Sequence, residues 1–487
     1  MNTSNTRYGR EWIDERLGES SHLFFVGIGG VSMSSLAMIS ASRGYRVSGS
    51  DRTRSSVTDD LEARGVKVYG AHNGSNVEGA DALIYTVSIP TDNPEYVRAG
   101  ELGIPRISRA DFLGWLMSRD KMRLGVSGMH GKSTTTGMCA SILLAADCDP
   151  TISSGAVIRE TGCTYRVGGD EYFLFEACEY KDSFLSFYPT HAAILNIDMD
   201  HPDYFRDLDQ VKDSFSRWLS LVRDRAVVNW SDANIREVAD GFEDKLLRVG
   251  TEMDGDARPR DEYDVFAGEI SLSAHGSVFT LHTSLWGDIE IKLHEAGIHN
   301  VRDAVAAAAL TLSAGISPEA VSEGLGAFRG AGRRMEHIGK TAGGADVYLD
   351  YAHHPTELMA TINTARMLGG RLEVIFQPHT YTRTKSLFDE FALALTCPDE
   401  VVLADIFAAR EEDIYGVSSK MLADAVNAAG GNAVHSGDRI LTKDAHTDGD
   451  EFSRIGAFVT GRVGEGDTVI IMGAGNIDRT APYIVGK

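Results

Sequence analysis

Gly125-Val-Ser-Gly-Met-His-Gly-Lys-Ser-Thr-Thr-Thr136 is the stretch on which the reading of this chain turns. The run Met122–Val126 reads as a buried strand, and Met138–Leu144 reads as an apolar helix. Between them Gly128 and Gly131 bracket a turn. Glycines let backbone N–H groups close around an anion, the helix N-terminus adds its positive end, and Lys132 supplies a full charge. A hydroxyl directly after the lysine, here Ser133, is where such loops hold a magnesium ion. The usual pattern asks for a further glycine where this chain has Val126, so the match is to a shorter variant, Gly-x-x-Gly-Lys-Ser. A strand–turn–helix corner without a ligand is the competing reading.

On either side of this loop strands and helices alternate, as in a doubly wound sheet. Three α/β units are expected. Residues 1–120 hold strands at His22–Val26, Tyr45–Gly49 and Ala82–Tyr85, with a helix at Met33–Arg43. Residues 121–334 hold the phosphate-binding loop, strands at Tyr172–Ala177 and His191–Ile197, a strand-rich insertion around Val265–Leu293, and an Ala-rich helix near Ala304–Ile316. Residues 335–487 begin with Met335–Asp350 and alternate strands at Val374–Gln377, Val401–Ala404 and Thr468–Met472 with helices.

Bulk properties narrow the class. The 487 residues are 43% hydrophobic and 24% charged, which suits a globular chain with several cores. Forty-seven basic against seventy acidic residues give a net charge of −23, which argues against nucleic acid or an anionic membrane surface as a partner. An anionic substrate must then be met by locally placed cations. Five cysteines, none in a Cys-x-x-Cys pair, indicate neither a disulfide framework nor a zinc cluster, so a reducing cytoplasm is expected. The start, Met1–Ser21, is polar, and no apolar run approaches the ~20 residues of a membrane helix.

Further motifs carry chemistry. Gly27-Ile-Gly-Gly-Val-Ser-Met33 fits a dinucleotide turn at Gly27 and Gly29 but has Ser32 for its third glycine, and Asp51 follows the next strand. An NAD site, a site for another diphosphate such as a UDP-sugar, and a plain strand–helix turn all remain open there. Glu176 ends an apolar strand near the phosphate-binding loop, as a magnesium ligand or as a solvated strand-end acid. Asp198-Met-Asp-His-Pro-Asp-Tyr-Phe205 gathers three acids and a histidine, as metal ligands or as a helix cap. His299-Asn300 opens the Ala-rich helix, and Arg333-Arg334 precedes the third unit. The pair His353-His354 can be read as metal ligands or as a polar loop bent around a substrate.

In this order, these segments resemble the Mur ligase family over almost the whole chain, from His22 to Ile477. The resemblance is carried by Gly-Ile-Gly-Gly-x-x-Met, Gly-Ser-Asp (49–51), Asp-His-Pro-Asp-Tyr, Asp-Tyr-x-His-His-Pro-Thr-Glu (350–357), Gln-Pro-His-x-Tyr-x-Arg (377–383) and Gly-Ala-Gly-Asn-Ile (473–477). It implies an N-terminal Rossmann-like domain for a UDP-sugar, a central P-loop ATPase with a mostly parallel sheet, and a C-terminal Rossmann-like domain that brings the amino acid. It implies ATP with Mg2+, UDP-N-acetylmuramate and L-alanine as substrates, an acyl phosphate intermediate, and a place in peptidoglycan precursor synthesis, with the chain a monomer or homodimer. Gly128, Met129, His130, Gly131, Lys132, Ser133, Thr134, His299, Asn300, Arg334 and Asp350 would surround ATP. Ser133, Glu176 and His201 would hold the metal, and Lys132, Glu176, His201 and Arg334 would be catalytic. Gly29, Gly30, Ser32, Met33, Asp51, His72 and Ser88 match positions around the UDP moiety, and His353, His354 and Arg383 face the amino acid and acyl group.

Three departures from the family pattern stand out: Met129 and Ser133 where Thr is common, Asp303 where a second Asn is common, and no lysine after the Asp-His motif. The rival readings are an NAD-dependent oxidoreductase, a nonenzymatic nucleotide-sensing scaffold, and a sister ligase that attaches a tripeptide to the same sugar nucleotide.

Overall fold

The computed structural model describes residues 3–159, 161–255, 258–409, 411–438 and 450–486. Met1 and the first part of the polar start therefore lie outside the described residues. Three sheets organise the chain. The first runs, edge to edge, Lys67–Tyr69, Arg46–Ser50, His22–Val26, Ala82–Tyr85, Arg106–Ser108, all parallel. Its central strand keeps Leu23, Phe24, Phe25 and Val26 buried, as a strand covered on both faces requires. The strand order reverses just after that strand, and the Gly-rich turn sits at the reversal.

The second sheet has ten strands, and Met122–Ser127 lies inside it between His191–Ile194 and Tyr172–Glu176, parallel to both. Thr151–Ile158 and the antiparallel Cys163–Arg166 complete one side. The other side continues through Arg225–Asn229 and Leu246–Thr251 to Val265–Ser273, Gly276–Thr283 and Ile289–Leu293, where pairing turns antiparallel. The insertion expected around Val265–Leu293 is thus the sheet's outer edge. The helix after the phosphate-binding loop spans Lys132–Ala145, starting earlier than the sequence suggested, and the Ala-rich helix spans Ile298–Ser313, with His299-Asn300 at its opening. Glycine explains both starts: Gly131 (φ +84°) and Gly297 (φ +94°) turn the chain into the helix without the strain a Cβ brings.

The third sheet runs Glu336–Lys340, Asp346–Asp350, Thr468–Met472, Leu372–Phe376, Glu400–Leu403, Ala433–His435, parallel except at the first strand. Asp350, Met472 and Phe376 are register partners, so the loops beginning at Tyr351 and Gln377 leave the same edge side by side.

The apolar cores divide unevenly. One cluster joins Phe25, Phe112 and Trp115 of the first sheet's layer to Phe173, Phe175, Phe215 and Trp218 of the second. Helix Arg109–Met117 approaches so closely that Gly114 has no room for a Cβ beside the Ser186 carbonyl. The two clusters of the third sheet are built from residues between Met335 and Val485 alone. Among the described residues, no helix is long and apolar enough to cross a membrane.

Candidate active site

The phosphate-binding loop leaves the sheet beside two other strand ends. Val126 pairs in register with Glu176, and Ser127 with Ile194, so Glu176 and the Leu195–Asn196 turn flank the loop. Asn196 clamps it in both directions: its Oδ1 accepts from the His130 backbone N–H at 2.8 Å and its Nδ2 donates to the His130 carbonyl at 3.0 Å. Ser133 Oγ donates to Glu176 Oε2 at 2.9 Å, and the same carboxylate oxygen accepts from the Gly155 N–H at 3.0 Å. A hydroxyl and a carboxylate converging at the mouth of an N–H-lined loop form the oxygen donor set that magnesium takes; the residues fit that ion.

Lys132 curls into its own loop. Its Nζ donates to the Gly128 and Met129 carbonyls at 2.6 and 3.0 Å and lies 2.9 Å from Glu179 Oε2. Glu179 is buried, and its other oxygen is 3.1 Å from His201 Nε2. Burial opposes both charges, but each is the other's counter-ion, and the Lys132 ammonium is pushed above and the Glu179 carboxyl below its ordinary range. His201 is held at φ +53° over the Tyr180 ring. Sequence reasoning singled out Glu176 and passed over Glu179, three residues on.

A cavity of about 820 Å³ opens beside the loop, lined by Gly131, Thr134, His299, Asn300, Arg334 and Asp350 among others. Asp303 also lines it, under Gly131, where an added Cβ would lie 2.5 Å from its Oδ1. Burial raises the Asp303 carboxyl to about 8 and lowers His299 to about 4. Asp350 is a brace: its oxygens accept from the Met335 and Ala352 N–H groups at 2.8 and 2.7 Å. Arg334 stands 3.7 Å from Glu357 and over the Tyr351 ring.

Across this cavity the third unit meets the second through polar groups. His130 Nδ1 is 3.3 Å from Glu357 Oε1, and its Nε2 is 3.7 Å from Asp198 Oδ2. Burial opposes charge on this imidazole, but the two carboxylates outweigh it and lift its pKa to about 9. A raised folded pKa means the contribution is whole below the ordinary imidazole value, declines above it, and is gone beyond pH ~9. A fall in Tm of the wild type between about pH 6.5 and 9 that His130→Asn does not share is the expected result, measured by thermal melts across that range.

His130, Asp198 and His354 also come close enough to suggest a metal cluster. Both ring nitrogens of His354 are taken, however: Nδ1 accepts from the Thr356 N–H and Nε2 faces the Met199 carbonyl, each at 3.3 Å. This histidine caps helix Pro355–Arg366. His353 Nδ1 lies 3.0 Å from the Tyr351 carbonyl, and burial lowers its pKa to about 4. Arg383, which the resemblance turned toward the amino acid and acyl group, is engaged within the protein. Its Nε and one Nη donate to Asp200 Oδ1 at 3.0 and 2.9 Å, and both partners are buried. The remaining Nη is 3.3 Å from Nδ1 of His379, whose ring stacks on Phe407. His379 and Asp200 were absent from the expected site, although both lie in motifs quoted above.

At the first sheet, Gly29 and Asp51 do come together, the Gly29 N–H donating to Asp51 Oδ2 at 3.0 Å. His72 Nδ1 lies 2.8 Å from Ser50 Oγ and 3.0 Å from the buried Glu95. Gly30 caps helix Val31–Ser42, and Ser88 sits in the turn after the fourth strand, its N–H on Thr86 Oγ1. Met33, in the first turn of helix Val31–Ser42, is 3% exposed and packs in the apolar core.

A phosphate-binding strand–loop–helix set between two Rossmann-like units is the arrangement of one group of proteins, and the chain belongs to it, the Mur ligase family. Models of the Mur ligase family catalytic domain, the Mur ligase middle domain and the Mur ligase glutamate ligase domain match residues 22–121, 126–311 and 333–475. The chain is 41% identical over 466 residues to the UDP-N-acetylmuramate–L-alanine ligase of Clostridium novyi, covering 93% of this chain and 95% of that protein. The solved UDP-N-acetylmuramate-alanine ligase of Thermotoga maritima superposes with a TM-score of 0.76 at 26% identity, over 95% of this chain and 97% of that one. A murein peptide ligase from Psychrobacter arcticus shares the fold, with a TM-score of 0.68 at 22% identity over 96% and 100% of the two chains.

Proposed function

We propose that this chain ligates L-alanine to the carboxylate of UDP-N-acetylmuramate at the expense of ATP, in the synthesis of a peptidoglycan precursor in the cytoplasm. The observation that carries the reading is the phosphate-binding loop, with Lys132 and the Ser133–Glu176 pair, opening on a cavity that the third unit closes. The names of the relatives supply the substrates.

Joining a carboxylate to an amine is uphill in water, so the acyl group must first be activated. The sugar carboxylate attacks the γ-phosphate, which gives an acyl phosphate and ADP. In that attack two anions approach each other, and Lys132 and Arg334 are the cations of the site that offset their repulsion. To reach the nucleotide, Lys132 exchanges the Gly128 and Met129 carbonyls for phosphate oxygens. Ser133, Glu176 and His201 are the residues assigned to magnesium, which when bound neutralises phosphate charge. The alanine amine next attacks the acyl phosphate and phosphate departs. Burial holds His353 and His379 at about 4, so both are weak bases, and the departing phosphate is the better proton acceptor. Docking of the third unit excludes the water that would hydrolyse the intermediate.

Phosphate release from ATP, with UDP-N-acetylmuramate and each amine in turn, tests the reading. Release dependent on L-alanine is expected; dependence on a tripeptide instead would give the chain to the sister activity. Glu176→Ala is expected to raise the magnesium concentration needed for half-maximal rate at least tenfold, because the carboxylate is the charged member of the proposed donor set. An unchanged magnesium titration would make Glu176 a support for Gly155 and Ser133 only.

A further inference from the structure

Arg109 donates to a serine and, among the described residues, forms no ion pair. It follows the edge strand Arg106–Ser108 and opens helix Arg109–Met117, so it sits at the positive end of that helix. Its Nη1 donates to Ser32 Oγ at 2.9 Å, and Ser32 lies in the first turn of helix Val31–Ser42, a second positive end. That turn has no side-chain cap; its first intrahelical bond runs from the Ser34 N–H to the Gly30 carbonyl at 2.8 Å. Among the described residues no carboxylate comes within ion-pair distance of Arg109. Asp51, the acid that hydrogen-bonds the turn, spends its oxygens on the Gly29 and Thr53 N–H groups. Half-buried against its own charge, the guanidinium has Cys178 and Glu176 of the second unit as its electrostatic neighbours, and its pKa is lowered by burial.

A guanidinium held between two helix N-termini without a counter-ion is unfavourable unless an anion lies among them. Its planar fork leaves donors beyond the one on Ser32, and paired donors suit phosphate oxygens. We propose that Arg109 is a binding residue for the nucleotide sugar, pairing with its diphosphate where that group lies on the Gly-rich turn. The inference rests on the UDP-sugar reading above and adds to it a cation from outside the turn. It also orders the substrate along the seam, with the diphosphate on Ser32 and Arg109 and the acyl end pointing toward Glu176.

Titration calorimetry of the full chain with UDP and, separately, with ATP tests this, using Arg109→Gln and the charge-keeping Arg109→Lys. Losing a hydrogen-bonded charge pair corresponds to roughly 10- to 100-fold in affinity. The expected result is that loss for UDP in Arg109→Gln, a smaller loss in Arg109→Lys, unchanged ATP affinity and an unchanged melting temperature. In turnover, KM for UDP-N-acetylmuramate should rise with kcat retained. Wild-type UDP affinity in Arg109→Gln would overturn the inference. So would a loss confined to kcat, which would put Arg109 on the acyl group, or a parallel loss of ATP and UDP with a lower melting temperature, which would make it structural. If the wild type itself does not bind UDP, the underlying reading falls with it.

Discussion

Lys132→Ala is expected to slow ligation by two to three decades at saturating ATP and magnesium, the ~3–4 kcal/mol that removing a charge-stabilising donor commonly costs. The ammonium is the one full positive charge carried by the phosphate-binding loop itself other than the His130 imidazolium, and it lies 2.6 Å from the Gly128 carbonyl, inside the loop. The substitution has a second effect that only the structure exposes. Glu179, 1% exposed, would keep His201 but lose Lys132, and a buried carboxylate short of its partner is destabilising. Lys132→Ala combined with Glu179→Gln separates the two effects. The double variant should regain melting temperature and remain inactive. Recovery of activity as well would mean that the lysine serves the fold and not the phosphate.

Arg383→Ala is expected to be more damaging than loss of one substrate contact. It strands Asp200, whose carboxyl is held far below its usual range by His201 and Arg383 against the cost of burial. Breaking a buried pair by removing one partner costs roughly 3–5 kcal/mol. Because the pair joins the second unit to the third, that cost falls on docking, and steady-state kinetics should show kcat/KM reduced for all three substrates together. Asp200→Ala should be nearly as severe, and the double variant should lose less than the sum of the two. Strictly additive losses would mean that the pair does not act as a unit. A selective rise in the alanine KM would return Arg383 to the substrate carboxylate.

The backbone plan was largely legible. Alternating apolar runs and glycines at φ-demanding turns located the central strands, and Gly128–Ser133 located the phosphate-binding loop, because periodicity and turn chemistry are local. Short edge strands such as Lys67–Tyr69 and Arg106–Ser108 were missed, since three residues carry no readable period. Leu246–Thr251 was missed inside the sheet although Asp240-Gly241 and Asp254-Gly255 mark turns on either side of it. Site residues followed the same division. Ser133 and Glu176 were legible from their places beside a loop and at a strand end. Glu179, Asp200 and Glu357 were not, because each earns its role from a partner far along the chain: Lys132, Arg383 and His130. Arg109 carried no motif at all and became visible only once its surroundings were known.

The uneven division of the cores sets what can be exchanged. The first two units share aromatic side chains in one apolar cluster, so a replacement for the first would have to bring matching partners for Phe173, Phe175 and Trp218. The third meets the second through a few ion pairs and hydrogen bonds, of which Arg383–Asp200 and His130–Glu357 are the principal ones. A graft of the third unit would have to preserve those polar contacts, together with His354 on the Met199 carbonyl and Arg159 beside Glu336. The third unit is therefore separable from the other two at the cost of polar contacts, while the first two are bound to each other by a shared apolar core.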